Sequence, residues 1–397
     1  MNRPHWLFVD AAHAFGGHEV MLLSWLSELQ DQGRITPVLL ARDASRLHRQ
    51  ARERVETLSL TSSHDANGRR VGSLRSLWRG MKDAWRILQA IRRYQPRLCV
   101  VAEGSLLSQA GYTLLLRLFG QHTLVYVPLV EPATGMGFGR GPERDWLMRH
   151  VYRHIPHGWI TITREQAEQF TQWAQLTTPV WLLPNTVARE IEAAPRITHV
   201  VHHPLRVLVL GRLDAHQKGL DDLLKFLAQH PELHEQLHIS LVGEGPYRAE
   251  IERQLQDDPA LRSVVSVRPW APTLQVLREH DVLLLCSRYE GMPLVMLEAM
   301  AMGLPMVASD LPGTRAMLSA DCLFAVGDMA RAFHLLFVVS GARRDTFALR
   351  NLEVFNERAS SAAFAVGVAQ LTEQLLHLDE SAATAQFSDV SPKVDFP

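Results

Sequence analysis

A chain of 397 residues is too long for one compact core and predicts two or three domains. Its composition is that of an ordinary globular protein, and its net charge of -1 excludes nucleic acid as a partner of the molecule as a whole, although local basic patches remain available. The cysteines lie far apart and form no CxxC pair, which predicts reduced thiols and no structural zinc: Cys99, Cys286 and Cys322.

Two sequence features bear on where the protein works. The apolar run before Asp10 is too short for a signal peptide, and no stretch reaches the ~20 uninterrupted apolar residues of a membrane-spanning helix. We therefore expect a cytoplasmic protein, with any membrane contact peripheral and at the inner face of the cytoplasmic membrane.

Short apolar runs of strand length alternate with segments of helical period, which is typical of parallel βαβ units. In the first half the predicted strands begin at Trp6, Ile35, Arg97, Thr123, Gly158 and Val180. In the second half they begin at Leu205, Leu237, Val264, Asp281, Leu304 and Cys322. The pattern predicts an α/β protein with two doubly wound, Rossmann-like domains facing a central cleft.

Composition sets the predicted domain boundaries. The first domain spans residues 1–190, a polar linker spans 191–204, and the second domain spans 205–360. A helical pattern over 361–378 is expected to pack back on the first domain, and the acidic, small residues of 379–397 predict a disordered tail. Ligand-binding residues should lie in loops that follow strands, because such loops line the cleft.

The first of these loops contains Gly16 and Gly17, which let the backbone pass close to a phosphate. Its spacing is not the GxGxxG dinucleotide fingerprint. Further on, the segment from Arg69 to Arg97 is strongly basic, with Asp83 as its single acid, and its apolar residues recur at helical spacing. Such a helix either docks on an anionic membrane or packs its apolar stripe on the first sheet while its arginines face solvent.

Two segments of the second domain repeat the strand, glycine turn and helix pattern. Arg212 and Lys218 follow the strand that begins at Leu205 and could neutralise a diphosphate. Gly243 and Gly245 follow the next strand, where they allow close approach of a ligand or simply form a tight turn.

The sequence EGMPLVMLE places two acids eight positions apart around the start of a helix predicted from Pro293 to Met302. The helix is apolar except for Glu298, and an unpaired buried carboxylate costs several kcal/mol. Glu298 could accept hydrogen bonds from the vicinal hydroxyls of a ribose, or it could form a structural ion pair with Arg315. Glu290 precedes the helix, whose N-terminal amides favour an anion, and it could bind sugar hydroxyls or be a solvated loop acid.

Taken in order, these segments resemble the retaining nucleotide-sugar glycosyltransferases of family 4 (glycosyl transferases group 1), which have the GT-B architecture. The most specific element is Glu-x7-Glu from Glu290 to Glu298. Weaker elements are the GRL and KG around Arg212 and Lys218, VGEGPYR from Val242, PN at Pro184, and GGHE from Gly16.

The resemblance implies a role for each matching residue. Glu290 would hold hydroxyls of the donor sugar, Glu298 the ribose, and Arg212 with Lys218 the diphosphate. The backbone of the remaining donor residues would complete the phosphate site: Gly16, Gly17, Gly243, Gly291, Met292, Pro293 and Leu294. No Asp-x-Asp motif is present, so we expect neither a metal nor another cofactor, with leaving-group charge stabilised by the cationic side chains and the helix dipole.

The resemblance also implies the reaction and its partners. A sugar would pass from a nucleotide-diphosphate donor to a hydroxyl of a glycan or lipid-linked acceptor, with retention, in cell-surface polysaccharide or glycolipid biosynthesis. Many family members carry a histidine after the fourth strand of the first domain, where this chain reads VVAEGSLLS. Glu103 or Glu131 could orient the sugar or acceptor instead, or both could be ordinary loop acids. A nucleotide-sugar epimerase of the same architecture and a silent nucleotide-sugar-binding subunit are the alternative functions.

Overall fold

The structure is a computed structural model, and it describes residues 3–12, 16–43, 45–61, 73–136, 140–198 and 201–382. Within these ranges, the side chains of residues 73–77, 79 and 379–382 are not described.

Two parallel sheets form the framework of the molecule. The first has the order β3-β2-β1-β4-β5-β6-β7, and the second has the order β10-β9-β8-β11-β12-β13. The strands of the first are β1 His5–Asp10, β2 Thr36–Arg42, β3 Glu56–Leu60, β4 Leu98–Ala102, β5 Thr123–Tyr126, β6 Gly158–Thr161 and β7 Val180–Leu182. Those of the second are β8 Leu205–Leu210, β9 Leu237–Val242, β10 Val265–Arg268, β11 Val282–Leu285, β12 Met306–Ser309 and β13 Leu323–Phe324. The predicted α/β class with two doubly wound sheets is confirmed.

One strand was not predicted from the sequence. Strand β3 pairs with β2 at the edge of the first sheet, and it is mostly half-exposed, whereas β1 and β2 are almost fully buried. Its sequence, ETLSL, lacks the continuous apolar run that identifies a strand covered on both faces. The prediction therefore missed the strand whose environment is least apolar.

Helices cover both faces of each sheet. In the first half they are α1 Gly17–Gln32, α2 Arg46–Ala51, α3 Ser73–Tyr94, α4 Ala110–Leu118, α5 Gly141–His150, α6 Arg164–Ala174 and α7 Arg189–Glu192. In the second half they are α8 Ala215–Lys218, α9 Leu220–Gln229, α10 Arg248–Asp257, α11 Pro259–Val264, α12 Thr273–Arg278, α13 Leu294–Ala301, α14 Pro312–Arg315, α15 Met329–Ser340, α16 Arg344–Arg358 and α17 Ser361–Ala382. None of the helices in the described ranges is both long and apolar enough to span a bilayer.

The last helix returns to the first domain. Helix α17 contacts α1, and Phe364, Val368 and Leu371 lie in the same hydrophobic core as the α1 side chains. The helix continues past Leu378 to Ala382, so the first residues of the expected tail are helical. The rest of that tail, from residue 383, lies outside the described residues.

Three contacts bring the two domains together around the start of α13. Leu294 packs against the cores of both domains. Asn185 is buried and donates from Nδ2 to the Met292 carbonyl at 3.0 Å. Arg315 of the second domain lies 2.5 Å from Glu165 of the first. The segment that follows β11 is therefore held at the face between the domains.

Candidate functional site

Predicted site residues converge at the carboxyl ends of three neighbouring strands. Arg212 follows β8, Gly243 follows β9 and Glu290 follows β11, and these strands are adjacent in the order β9-β8-β11. Lys218, the last residue of α8, forms an ion pair with Glu290. The Ser287 hydroxyl donates to the same Glu290 oxygen at 2.9 Å. Lys218 and Glu290, assigned to phosphate and sugar, are thus direct neighbours.

Arg212 lies at the open side of this group. Its side chain is 60% exposed, and its guanidinium lies 3.2 Å from Asp214 and 2.9 Å from the Gln217 amide oxygen. Asp214 also caps α8 by accepting from the Gln217 backbone amide at 2.9 Å. Each of the two predicted cations is therefore paired with an acid of its own domain, and an incoming diphosphate would compete with Asp214 and Glu290 for them.

The segment after Glu290 is shaped by close backbone contacts. A side chain at Gly291 would overlap the Pro128 carbonyl of the first domain, so glycine is required there for the domains to approach. Helix α13 begins at Leu294, with Pro293 as its N-cap, and ends at Ala301, one residue inside the prediction at each end. The amides of Met296 and Leu297 donate to the Pro293 carbonyl at 3.1 and 3.5 Å, whereas the first two amides of the helix, those of Leu294 and Val295, precede the first intrahelical bond.

Glu298 is a partly buried acid on α13. Its carboxylate accepts a hydrogen bond from the side chain of Thr273, and burial raises its pKa to about 7 despite that bond. The ion pair with Arg315 that the sequence left open is not formed, because Arg315 instead pairs with Asp310 at 2.8 Å and with Glu165. Among the described residues, Glu298 has no ion-pair partner.

The glycines of the predicted phosphate site fall into two groups. A side chain at Gly243 would overlap the Gly211 carbonyl, and one at Gly245 would overlap the Leu213 carbonyl, so both are required by the packing of strand ends. An added Cβ at Gly16 or Gly17 would meet only ordinary contacts, 3.6 Å from Glu19 and Leu294 respectively. The fold therefore does not require glycine at Gly16 or Gly17 for lack of space, and both residues are exposed.

Next to these glycines lies a cluster that the sequence did not single out. His18 Nε2 is 3.2 Å from Asp10 Oδ2, and His18 Nδ1 is 3.0 Å from Glu19 Oε2. Burial opposes the charge on the imidazole, but the bonds and charges of the two carboxylates outweigh it and raise the pKa of His18 to about 10. In the described part of the chain, this is the one group with the composition of a metal site.

The two acids considered as substitutes for the family histidine occupy different environments. Glu103 is fully buried and accepts from the Tyr152 hydroxyl at 2.6 Å, and burial raises its pKa to about 7. This position favours a structural role over contact with a substrate. Glu131 is partly exposed, and burial followed by the Asp145 charge raises its pKa. Glu131 lies near the segment around Glu290. Its negative charge adds to the effect of burial, which raises the pKa of the neighbouring Tyr289.

Trp270 is a further candidate that the sequence analysis missed. It is 56% exposed and follows β10, three residues before the Thr273 that bonds Glu298. An exposed tryptophan at the carboxyl end of a strand is suited to stack on a planar ring. The rule that selected loops after strands would have found both Trp270 and Asp10, which ends β1, had it been applied to every strand.

Comparisons with known proteins agree with this geometry. Residues 204–336 match the model of the family described as glycosyl transferases group 1. The chain is 35% identical over 88 residues to a putative glycosyltransferase, EpsF, of Bacillus subtilis, covering 22% of this chain and 23% of that protein. It is 32% identical over 82 residues to the UDP-Gal:alpha-D-GlcNAc-diphosphoundecaprenol alpha-1,3-galactosyltransferase of Escherichia coli, covering 20% and 21% of the two chains. These alignments span about a quarter or less of each relative.

The fold is similar over nearly the whole molecule. HepE of Anabaena, solved in complex with UDP and glucose, superposes with a TM-score of 0.69 at 17% identity, covering 94% of this chain and 100% of that one. The two-sheet arrangement is thus that of GT-B glycosyltransferases. The part of the chain that matches the glycosyl transferases group 1 model, residues 204–336, contains the second sheet and the Arg212, Lys218, Glu290 and Glu298 group.

Proposed function

We propose that this protein is a retaining, metal-independent glycosyltransferase that moves a sugar from a nucleotide-diphosphate sugar to a hydroxyl of a glycan or lipid-linked acceptor in cell-surface polysaccharide or glycolipid biosynthesis. The observation that supports it most is the convergence of Arg212, Lys218 and Glu290 at the carboxyl ends of the second sheet, with Glu298 on the helix that follows. HepE of Anabaena has the same fold and was solved with UDP and glucose, which supports a nucleotide-sugar donor here.

The nucleoside end of the donor would lie between α13 and the loop after β10. The Glu298 carboxylate would accept hydrogen bonds from both ribose hydroxyls. It can do so because its bond to Thr273 occupies only one of its acceptor sites. The base, attached to the same ribose, would then reach the exposed Trp270 and stack on its ring. This arrangement gives the unpaired acid and the exposed tryptophan one common ligand.

The diphosphate would lie at the start of α13. Lys218 and Arg212 would exchange their carboxylate partners for phosphate oxygens, and the amides around Gly291 and Leu294 would donate to the same group. Charge that develops on the departing diphosphate is stabilised by these groups, which are held in place before the reaction. Gly16 and Gly17, the N-cap and the first residue of α1, are exposed, and Gly17 lies close to Leu294. This pair, which we call the Gly16–Gly17 turn, would cover the phosphate from the first domain.

Release of Glu290 from Lys218 gives the carboxylate its second role. Once Lys218 turns to the phosphate, Glu290 becomes free to accept from hydroxyls of the donor sugar. The leaving phosphate oxygen, on the same face of the sugar as the incoming acceptor, would take the proton of the acceptor hydroxyl. The C–O bond to phosphate breaks as the bond to the acceptor oxygen forms on that face, which preserves the anomeric configuration.

The acceptor would arrive at a surface formed by three helices of the first domain, which we call the α3–α5 surface. Exposed large apolar side chains concentrate there: Trp78, Met81 and Trp85 on α3, Leu114 and Leu118 on α4, and Trp146 and Leu147 on α5. The helices are neighbours, since Tyr112 of α4 donates to Asp83 of α3 at 2.9 Å, and Thr113 contacts Tyr152, just after α5, at 2.9 Å. We propose that this surface docks on an anionic membrane at the inner face of the cytoplasmic membrane.

Helix α3 has two apolar faces. One packs on the first sheet and the other is exposed, so packing on the sheet leaves a face that could dock on a membrane. Ile87 and Ala90 are buried in the core on the first sheet, as the packing alternative required. Trp78 and Trp85 point away from that core and are 64% and 55% exposed. The buried Asp83 also accepts from Thr61 at 2.7 Å, which fixes the rotation of the helix.

The charge of α3 matches an anionic surface. Asp83 is buried, so the described exposed charges of the helix are all basic: Lys82, Arg92 and Arg93. Lys82 lies 4.9 Å from the Trp78 ring centroid, a cation next to an interfacial aromatic. Arg69 and Arg70 lie outside the described residues, and the side chains of Arg75 and Arg79 are not described.

Co-sedimentation with vesicles tests the membrane part of the proposal. We expect the chain to bind vesicles containing phosphatidylglycerol, with weaker binding at high salt, and Trp78→Ser with Trp85→Ser to reduce binding at least about fivefold. Leu349→Ser is the matched control, because Leu349 is 52% exposed but lies on α16 of the second domain. Equal binding to neutral and anionic vesicles, or none to either, would refute docking by this surface.

Thermal shift with a panel of nucleotide sugars tests the donor. A ligand at 100 times its Kd stabilises a folded protein by about 2.7 kcal/mol, so we expect a subset of the panel to raise the melting temperature clearly. The same ligands should lose this effect in Lys218→Ala, which lacks a phosphate partner. If no nucleotide sugar or free nucleotide stabilises the chain, the proposed function is wrong.

A further inference from the structure

His18 lies between two buried carboxylates at the entrance to α1. The Asp10 side chain has no exposed surface, that of Glu19 is 3% exposed and that of His18 is 14% exposed. Nδ1 bonds Glu19, whereas Nε2 is at ion-pair distance from Asp10 without hydrogen-bond alignment. Each ring nitrogen thus faces a different carboxylate, an arrangement that fits an imidazolium.

The two carboxylates hold backbone amides on either side of the β1–α1 connection. Asp10 accepts from the amide of Ala12 at 2.8 Å. Glu19 accepts from the amide of Gly16 at 2.7 Å and so caps the helix. The His18 ring packs on the backbone after β4, where an added Cβ at Gly104 would lie 3.0 Å from Nδ1. One side chain therefore ties the end of β1, the first turn of α1 and the loop after β4 together.

Charge explains why a histidine is needed between them. Two buried carboxylates close to one position are costly without a cation, and removal of the cation leaves uncompensated buried charge. The imidazole is that cation at neutral pH, because the carboxylates raise the pKa of His18 to about 10 against the effect of burial. The charged groups behind this shift are Asp10, at the end of β1, and Glu19, in the first turn of α1.

We propose that His18 is a positioning residue, clamped between Asp10 and Glu19, that fixes the Gly16–Gly17 turn against Leu294 at the start of α13. Adjacent glycines have wide conformational freedom, so the turn needs an external constraint to keep one position. The fixing of the turn is independent of the proposed function. A fixed turn would hold its backbone ready for a diphosphate, and this benefit rests on the proposed function.

A metal ion is the competing occupant of this cluster. Candidate ligand atoms of Asp10, His18 and Glu19 lie within 4.8 Å of one another. The carboxylates, however, lie against opposite nitrogens of the ring, so an ion on Nε2 would leave Glu19 bonded to Nδ1 and would take only Asp10 as a second side-chain ligand. Stoichiometric binding of Zn²⁺ or Mn²⁺ that is lost in His18→Gln would overturn the clamp.

Hydrogen exchange of the full chain tests the proposal without a ligand. In His18→Gln we expect the amides of Gly16 and Val20, which donate to Glu19 and to the Gly16 carbonyl, to exchange at least about tenfold faster than in the wild type, because the start of α1 opens locally. His202→Gln is the matched control, since His202 lies 2.9 Å from the fully buried Asp281 at the amino end of the second sheet. That variant should leave exchange of the Gly16 and Val20 amides unchanged.

A second variant and a binding measurement complete the test. Glu19→Gln keeps an oxygen for the Gly16 amide but removes one charge of the clamp, so it should fold and still accelerate exchange of the turn. Unchanged exchange in both variants would refute the proposal. With UDP as the probe, we expect about tenfold weaker binding in His18→Gln than in the wild type, and equal affinity despite faster exchange would refute the positioning role. Failure of the wild type to bind any nucleotide would instead count against the proposed function, because the exchange result does not depend on it.

Discussion

Replacement of Glu298 by glutamine should stabilise the protein and weaken nucleotide binding at the same time. The carboxyl is partly buried, has Thr273 as its bonding partner and has a pKa raised to about 7 from the ordinary 4.5. Because the folded-state pKa lies above the unfolded one, ionisation opposes folding. The stability that the neutral Glu298 carboxyl contributes is fully present below pH 4.5 and is lost as the pH rises through 7.

The size of this effect follows from the shift. A rise from 4.5 to about 7 corresponds to at most about 3 kcal/mol of stability lost between pH 4 and pH 8. Glutamine cannot ionise, so Glu298→Gln should not show this loss and should be more stable than the wild type at pH 8 by up to that amount. Nucleotide affinity should fall, since the amide offers one acceptor oxygen in place of two charged ones.

Urea unfolding and nucleotide titration at pH 5 and pH 8 measure both quantities. Glu250→Gln is the control, because Glu250 is an acid bonded to Arg253 on the surface of the same domain. It should change neither nucleotide affinity nor the pH dependence attributed to Glu298. A variant Glu298→Gln that is less stable than the wild type at pH 8, with unchanged nucleotide affinity, would show that the acid is structural and refute the ribose assignment.

Three further predictions concern the rest of the donor site. Lys218→Ala should weaken binding of a nucleoside diphosphate at least about tenfold while a nucleoside without phosphate is unaffected; equal losses for both would refute a phosphate contact. Trp270→Ala should weaken nucleotide binding about tenfold through lost stacking, and an unchanged affinity would remove Trp270 from the site. Sugar transfer should survive excess EDTA, whereas loss of transfer with rescue by Mn²⁺ or Mg²⁺ would refute metal independence.

The site residues that were predicted from sequence are those whose placement follows from topology. Arg212, Gly243 and Glu290 follow strands that turned out to be neighbours, and parallel strands bring such residues to one edge. The pairing of Lys218 with Glu290 could not be predicted, because it depends on how the short helix α8 packs on the segment after β11, where the Arg288 amide donates to the Gln217 carbonyl at 2.8 Å.

Other features depended on contacts that a single sequence does not contain. Glycine is required at Gly243 and Gly245 because backbone carbonyls of the preceding strand end approach them, which accounts for the tight-turn alternative, and the contact of Gly243 with a ligand stays a prediction. The α3 sequence mixes the apolar residues of two faces, so only the packing of Ile87 in the core shows which ones remain exposed. His18 was visible as a residue of GGHE, yet its role depends on Asp10, which is adjacent in space and not in sequence.

Transfer of a sugar to an acceptor is the most direct test of the proposed function. The full chain would be incubated with a nucleotide sugar that stabilises it and with a polyprenyl-diphosphate-linked sugar in anionic vesicles, and the acceptor would be analysed by mass spectrometry. We predict an acceptor heavier by one sugar residue, in an amount that matches the nucleoside diphosphate released. An unchanged acceptor together with an isomerised free donor would show an epimerase, and an unchanged acceptor with intact, bound donor would show a silent binding subunit; either result would contradict the proposal.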